Sequence, residues 1–137
     1  MDSYGLGIGN YNFPADHLNF FRSCEYYIET EHFLFVHGGI PADQSIKNAL
    51  KNSKVKLIWE RDHIQAAKYK WEKTVVCGHT PQKNAVLKDK LIAIDTGCVY
   101  GKGSGYGFLT AVQIPSRKLF QVESLNHAIG IADTDDF

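Results

Sequence analysis

Two short apolar segments, each followed closely by glycine and histidine, constrain the fold of this chain more than any other feature. Residues 33–36 (FLFV) precede His37, and residues 74–77 (TVVC) precede Gly78 and His79. Short apolar segments rich in β-branched or aromatic residues and ended by glycine are typical of buried strands. A histidine that ends a buried strand is held rigidly at a sheet rim, where the loop edge admits a ligand. The pattern therefore predicts that His37 and His79 belong to one shared site.

Composition indicates one globular domain without nucleic-acid or membrane partners. The 137 residues are 44% hydrophobic, and 15 Lys plus Arg balance 15 Asp plus Glu, so neither a polyanion nor a membrane surface is favoured. No apolar segment approaches the roughly 20 residues of a bilayer span, and the first residues lack a signal-peptide pattern. Three cysteines with no close pairing (Cys24, Cys77 and Cys98) fit reduced thiols. We expect a cytoplasmic protein.

Helices are predicted mainly in the first half of the chain, and strands mainly in the second half. The predicted helices begin at residues 14–16, span residues 42–51 and start again within residues 57–62. The predicted strands are residues 26–28, 33–36, 74–77, 84–87, 91–94, 108–114 and 119–122. This order favours a layered α/β or α+β fold. Residues 1–125 are predicted to form the domain, and residues 126–137 an acidic tail.

The two histidines suggest a metal site, although they are too few to complete one. Imidazole nitrogen binds zinc, iron and manganese, but a catalytic zinc ion normally has three protein ligands. Two-metal hydrolytic sites add carboxylates, one of which often bridges ions roughly 3.5–4 Å apart. Asp95 ends a predicted strand and is the best internal carboxylate, but we expect it to orient a loop through hydrogen bonds. The alternative for His37 or His79 alone is a hydrogen-bonded structural residue.

Arg61 is the third candidate, because a guanidinium can hold phosphate through two parallel hydrogen bonds. It lies between the two histidines in sequence and follows Trp59. The alternative is a surface arginine paired with Glu60 or Asp62. Residue type alone favours that alternative.

The other possible sites are predicted to be structural. His63 follows Arg61 closely but is expected to have a structural role, and Cys77 is expected to be a buried, inert thiol. The glycine-rich residues 101–107 lack the Gly-Lys-Ser/Thr ending and the following helix of a phosphate loop. They are predicted to form a flexible connection or a flap.

Four segments in order together resemble a known family. They are residues 35–40 (FVHGGI), 58–62 (IWERD), 77–81 (CGHTP) and 94–101 (IDTGCVYG). They resemble the C-terminal half of the calcineurin-like metallophosphoesterases. The most similar branch is the bacterial serine/threonine protein phosphatases of the phosphoprotein-phosphatase family, followed by the symmetrical diadenosine tetraphosphate hydrolases. The resemblance covers nearly all of residues 3–123.

The resemblance implies a site with two divalent metal ions between the edges of a β-sandwich flanked by helices. His37 and His79 match the two histidines that bind one of these ions, and Arg61 matches the arginine that holds the substrate phosphate. Tyr100 is expected near the site. Manganese is the expected metal, with iron or zinc as alternatives. The family's N-terminal motifs (GDxHG, GDxxDRG and GNHE) supply the other ligands and the catalytic histidine, and none is present here.

We therefore predict the C-terminal portion of a serine/threonine protein phosphatase that hydrolyses phosphomonoesters, with the N-terminal half missing. The catalytic set is incomplete, so this chain alone should bind metal weakly or partially and hydrolyse little or no ester. The alternatives are a symmetrical diadenosine tetraphosphate hydrolase and a non-catalytic binding module. The expected substrate is a phosphoprotein or a phosphorylated small molecule. An open sheet edge predicts an oligomer, or a requirement for the missing half.

Overall fold

A computed structural model describes residues 13–52 and 54–126. The helices are α1 (Ala15–Ser23), α2 (Ile46–Asn52) and α3 (Lys54–Trp59), with 3-10 turns at Asp62–Gln65 and Cys98–Tyr100. The strands are β1 (Tyr27–Glu29), β2 (Phe33–Val36), β3 (Thr74–Cys77), β4 (Val86–Leu87), β5 (Leu91–Ala93), β6 (Phe108–Gln113) and β7 (Lys118–Glu123). Apart from residue 126, the predicted acidic tail lies outside the described residues, as does the start of the family resemblance at residue 3.

A five-stranded sheet with the order β1-β2-β3-β5-β4 forms the centre of the fold. Strands β2, β3 and β5 are parallel, whereas β1 and β4 pair antiparallel at the two edges. Strands β6 and β7 form a separate antiparallel hairpin. The predicted mixed α/β fold is confirmed, and the five-stranded sheet with its helices is consistent with a partial metallophosphoesterase-like fold.

The core lies on one face of this sheet. Leu34, Val75 and Leu91 are aligned across β2, β3 and β5, and each is 0% exposed. Successive strand residues point to opposite faces, so this row belongs to one face, where helix residues such as Ile46 and Leu57 join the same cluster. Parallel strands are buried in this way when helical crossovers cover them. The packing fixes the direction of the strand ends that carry the candidate site.

Helix α2 begins later than the sequence pattern predicts, because the polar residues before it form a cap and a turn. The Oγ of Ser45 accepts a hydrogen bond from the N–H of Asn48 at 3.3 Å, as an N-cap serine does. The N–H of Ile46 is bound by Oε2 of Glu72 at 2.9 Å. The predicted helical residues 42–45 therefore precede the helix. Helix α3, in turn, begins at Lys54 and ends at Trp59, earlier than the predicted start within residues 57–62.

The β6–β7 hairpin is joined to the end of β5 through Thr96. The Oγ1 of Thr96 donates to the carbonyl of Phe108 at 2.6 Å and lies 2.5 Å from Oγ1 of Thr110. The N–H of Gly107 donates to the Thr96 carbonyl at 3.1 Å. These contacts attach one end of the hairpin to the sheet. Among the described residues, none of the helices has the length and apolar character that crossing a membrane requires.

Candidate functional site

The candidate site lies at the carboxyl edge of the three parallel strands. His37 follows β2 directly, and His79 and Asp95 each come two residues after the ends of β3 and β5. Parallel strands bring their carboxyl ends to the same sheet edge. The N–H of Gly78 donates to the His37 carbonyl at 2.9 Å, so the chain segments stay paired beyond the strands. This pairing fixes the spacing between the two histidines.

The two imidazoles contact each other directly. The Nε2 of His37 lies 3.1 Å from Nδ1 of His79, and the ring centroids are 4.9 Å apart. Residues that are 42 positions apart in sequence thus share one side-chain hydrogen bond. Their role as metal ligands remains a prediction.

Arg61 joins this pair from the segment that follows α3. Its Nε–H donates to Nε2 of His79 at 3.3 Å. Glu60 instead accepts the backbone N–H of Asp62 at 3.1 Å. The local spacing had favoured a surface pairing of Arg61 with its acidic neighbours, whereas the tertiary structure directs its guanidinium to His79. Arg61 and the two histidines therefore form one polar chain at the sheet edge.

The arginine determines which nitrogen of His79 carries the proton. A guanidinium N–H can only donate, so Nε2 of His79 must accept. For a neutral His79 ring with no bound cation, this contact places the proton on Nδ1, which faces Nε2 of His37. Partial burial, followed by the nearby Arg61 and His37, lowers the pKa of His79 below its ordinary value, although Asp95 acts in the opposite direction. The lowered pKa is consistent with a neutral His79 ring.

The backbone at His79 is strained. His79 has φ of +64°, a left-handed value that is uncommon for residues other than glycine. The N–H of Thr80 donates to the carbonyl of Gly78 at 2.7 Å, which closes a tight three-residue turn around His79. Such conformations persist where the surrounding structure over-determines them, and they cluster at functional sites. In this conformation the imidazole contacts both His37 and Arg61.

Trp59 is a site neighbour that sequence reasoning missed. Its ring meets the His79 ring edge-on, with centroids 5.3 Å apart. The side chain is 62% exposed, so the ring borders the site from the solvent side. The nearest sequence signal is its position two residues before Arg61 in the IWERD segment, which does not reveal a contact with His79.

His63 and Cys77 form a buried pair beneath the site. The Nε2 of His63 lies 3.3 Å from Sγ of Cys77, and His63 is 1% exposed. Burial lowers the pKa of His63 to about 4, with Lys88 acting in the same direction and Asp62 against it. Burial, with Asp95, raises the pKa of the Cys77 thiol to about 12. The predicted structural role of His63 and inert thiol at Cys77 agree with this environment.

Asp95 and Tyr100 organise the loop after β5. Oδ1 of Asp95 accepts the N–H of Gly97 at 2.9 Å, which confirms the prediction that Asp95 orients a loop. Tyr100 packs on Tyr106, with ring centroids 5.4 Å apart. A Cβ on Gly97 would lie 2.7 Å from the Tyr100 ring, so glycine is needed there. The expected proximity of Tyr100 to the site remains a prediction.

The histidine pair has a suitable spacing to hold a metal ion but does not form a complete site. Imidazole nitrogens lie about 2.0–2.1 Å from zinc, so two ligands of one tetrahedral ion are roughly 3.3 Å apart. The observed 3.1 Å between Nε2 of His37 and Nδ1 of His79 fits this spacing. Oγ1 of Thr80, next to His79, is buried and has no hydrogen-bond partner in the described part of the chain. Within residues 13–52 and 54–126, no group of three or more His, Cys, Asp or Glu could hold an ion.

Comparison with known proteins finds short regions of similarity. No family model matches the chain. The chain is 44% identical over 50 residues to a symmetrical bis(5'-nucleosyl)-tetraphosphatase of Nitrosospira multiformis, covering 36% of this chain and 16% of the relative. It is 43% identical over 54 residues to the corresponding protein of Nitrosomonas europaea, covering 39% and 18%. It is 41% identical over 59 residues to an asymmetrical bis(5'-nucleosyl)-tetraphosphatase of Geobacillus sp., covering 43% and 22%.

These relatives belong to the calcineurin-like metallophosphoesterase superfamily. The match is to hydrolases of this kind, over no more than 22% of each relative's length. Their names favour the tetraphosphate hydrolase alternative over the serine/threonine protein phosphatase that the sequence motifs had put first.

Proposed function

We propose that this chain contributes part of a metal-dependent phosphoesterase site that hydrolyses a dinucleoside tetraphosphate. The observation that carries the proposal is the convergence of His37, His79 and Arg61 at one sheet edge, with contacts of 3.1 Å and 3.3 Å. Three separate chain segments supply these residues. His37 follows β2, Arg61 follows α3 and His79 follows β3. The names of the partial relatives support the choice of substrate.

In this proposal each residue has a distinct task. His37, through Nε2, and His79, through Nδ1, would hold one divalent cation; when bound, such an ion polarises a phosphoryl oxygen as a Lewis acid. Arg61 would bind phosphate oxygens through its fork of N–H groups and stabilise negative charge that develops on them. Trp59 would limit the rotation of the His79 ring from one side.

The described residues supply only part of such a site. Two imidazoles without a carboxylate make a weak metal site, and affinity depends strongly on the number of ligands. We infer that a further segment of the complete protein supplies the remaining ligands and the general acid. This chain by itself is then expected to turn over little substrate, even with manganese present.

The substrate class follows from the relatives rather than from the site geometry. An arginine next to a cation-binding pair can hold a phosphate of a protein or of a nucleotide equally well. The relatives are named bis(5'-nucleosyl)-tetraphosphatases of both the symmetrical and the asymmetrical kind. We therefore place a dinucleoside tetraphosphate first and keep a phosphoprotein as the alternative that the experiment must exclude.

The test is to assay the product of the complete reading frame that contains this chain. This protein would be assayed with three substrates, diadenosine tetraphosphate, a phosphoserine peptide and an aryl phosphate, each in the presence of manganese, iron or zinc. We expect hydrolysis of the dinucleotide to exceed that of the peptide, and His37→Ala to abolish it. Preference for the peptide would support the protein phosphatase. The absence of metal-dependent hydrolysis of all three substrates would support a non-catalytic binding module.

The products of the dinucleotide reaction show whether the complete protein cleaves symmetrically or asymmetrically. A symmetrical cleavage yields two nucleoside diphosphates, whereas an asymmetrical cleavage yields a nucleoside monophosphate and a triphosphate. Chromatography of the products separates these outcomes. The relatives include both kinds, so the result assigns the complete protein to one of them.

A further inference from the structure

Trp59 lies at the candidate site, and the fold leaves most of its side chain uncovered. It is 62% exposed, although it ends helix α3 only two residues after Leu57, which is 1% exposed. Among the described residues, its one ring–ring contact is with His79, edge-on, with the centroids 5.3 Å apart. The remaining surface of the indole therefore faces solvent beside the site.

The other tryptophan of the chain shows the environment of an indole that serves the core. Trp71 is 3% exposed and packs on Tyr69 with the ring centroids 4.4 Å apart. Its indole N–H donates to the carbonyl of Pro41 at 2.9 Å. A buried tryptophan normally combines a large covered area with a partner for its N–H in this way. The exposed position of Trp59 is thus not explained by packing of the core.

The backbone that carries Trp59 is attached to the loop after β2. The N–H groups of Gly38 and Gly39 donate to the carbonyl of Leu57, at 2.8 Å and 3.3 Å. A Cβ on Gly38 would lie 2.4 Å from the carbonyl oxygen of Ile58, so the two segments are in close contact. A ring on a backbone that is already fixed loses less freedom when a ligand packs on it.

Arg61 places a group that can bind phosphate next to this ring. Its Nε–H donates to Nε2 of His79 at 3.3 Å, and the Trp59 ring contacts the same imidazole. Within residues 13–52 and 54–126, the two terminal nitrogens of Arg61 have no hydrogen-bond or ion-pair partner. Their N–H groups can therefore bind the oxygens of an anion. A cationic fork and an exposed aromatic ring thus meet at one edge of the sheet.

We propose that a nucleobase of the substrate stacks on the exposed ring of Trp59 while Arg61 holds a phosphate of the same nucleotide. This inference rests on the proposed function and deepens it, because it gives the site a structural reason to prefer a nucleotide. Every nucleobase has an aromatic face, and stacking on an exposed aromatic side chain raises affinity by roughly fivefold to a hundredfold. A phosphoserine offers the same phosphate without a flat ring.

The test is a nuclear magnetic resonance titration of this chain, labelled with ¹⁵N at tryptophan and arginine and without added metal. The probes are AMP and ribose 5-phosphate, which carry the same phosphate monoester and differ in the base. We expect AMP to bind at least roughly fivefold more tightly. AMP should shift the indole N–H signal of Trp59, while the signal of the buried Trp71 stays in place. Both probes should shift the Nε–H signal of Arg61.

Variants separate stacking from a merely structural role of Trp59. Trp59→Leu keeps an apolar side chain without an aromatic face, so AMP should bind only as tightly as ribose 5-phosphate, whose affinity should not change. Trp59→Phe should restore part of the preference for AMP. Phe120→Leu is the matched control, since it removes a 51% exposed aromatic ring from the hairpin and should alter neither affinity. An equal loss of both probes in Trp59→Leu would mean that Trp59 only supports its neighbours, and the inference would be wrong.

The outcomes also separate this inference from the proposed function, which is tested by hydrolysis in the complete protein. If AMP stacks on Trp59 but the complete protein hydrolyses no dinucleotide, the nucleobase site stands and the proposed function is wrong. If the complete protein hydrolyses the dinucleotide and Trp59→Leu leaves its KM unchanged, the proposed function stands and the stacking is wrong. Equal binding of AMP and ribose 5-phosphate to the unaltered chain, or binding of neither, would also overturn the inference.

Discussion

The helix-covered face of the central sheet and the outer face of the β6–β7 hairpin differ sharply in how they are packed. Leu34 in the central sheet is 0% exposed. Leu109 and Val122 face each other in the hairpin and are 65% and 67% exposed, and Phe120, on the same hairpin face, is 51% exposed. The first region makes its own core, whereas the second presents apolar side chains to solvent.

This difference indicates that the central sheet, unlike the hairpin, buries its apolar side chains within the described residues. The candidate site lies on the well-packed part, since His37, His79 and Asp95 all follow strands whose inner residues are buried. Large apolar patches favour association, and the expectation of an oligomer, or of a requirement for a further segment, remains a prediction. Four predictions test this contrast, from the largest expected effect to the smallest.

Replacing a core leucine should destabilise the fold far more than replacing a hairpin leucine. Leu34→Ala removes methyl groups from a fully buried position and should lower the free energy of unfolding by about 2–5 kcal/mol. Leu109→Ala is the matched control and should change it by no more than about 0.5 kcal/mol. Urea unfolding of both variants measures the difference. Equal losses would show that the hairpin face is covered in solution.

The buried His63 should make the packed region sensitive to acid. Its pKa is lowered from 6.5 to about 4 in the folded chain, so the unfolded chain binds the additional proton between these pH values. The contribution of His63 to the free energy of unfolding should be fully present above pH 6.5. It should fall as the pH drops toward 4, by up to about 3 kcal/mol. Unfolding free energies measured across this pH range provide the check.

The control for this pH effect is His63→Gln, which cannot titrate. The slope of stability against pH between 6.5 and 4 should become shallower in this variant, whatever its absolute stability. A slope that persists in His63→Gln would assign the acid sensitivity to other groups.

Two glycines in left-handed conformations should differ in their tolerance of alanine. A Cβ at Gly39 would lie 2.2 Å from the buried His63 ring, whereas a Cβ at Gly103 would meet nothing within 4 Å. Gly39→Ala should therefore cost about 2–3 kcal/mol, since overpacking adds to the backbone strain. Gly103→Ala should cost only the backbone strain, about 1 kcal/mol. Thermal unfolding of both variants distinguishes the two contributions, and similar losses would contradict the close packing under the site.

The smallest effect is expected at His79 itself. His79→Asn removes the imidazole while keeping a residue that tolerates the left-handed backbone, so stability should change by no more than about 1 kcal/mol. Zinc binding should nevertheless be lost, because one of the two ring ligands is gone. Calorimetry of unfolding and of zinc binding measures the two effects. A large loss of stability would mean that His79 supports the fold rather than the site.

Much of the site could be predicted from local patterns. The two strand-end histidines and Asp95 were identifiable because a buried strand leaves a clear apolar segment and its end is marked by glycine. The Asp95–Gly97 contact was predictable as well, since it joins residues two positions apart. The late start of α2 had a local signal that the predicted helix overlooked, since Ser45 caps the helix through the N–H of Asn48, whereas the contact of Glu72 with the N–H of Ile46, 26 residues away, had none.

The partners of Arg61 and His63 could not be read from local patterns for the same reason. Local spacing pointed Arg61 toward Glu60 and Asp62, but its contact is with His79, 18 residues away. His63 meets Cys77 across 14 residues. Neither pairing leaves a periodic signal, because each depends on how the crossover between β2 and β3 packs on the sheet.

The sequence by itself determined the strands, the histidines and aspartate that end them, and the mixed α/β class, because apolar periodicity and glycine act over a few residues. Only the tertiary structure decided that Nε2 of His37 and Nδ1 of His79 lie 3.1 Å apart and that Nε of Arg61 lies 3.3 Å from Nε2 of His79. It also decided that one sheet face is packed while the hairpin face remains exposed. The physical reason is that parallel pairing and helix packing bring distant residues together, and their geometry depends on the whole core.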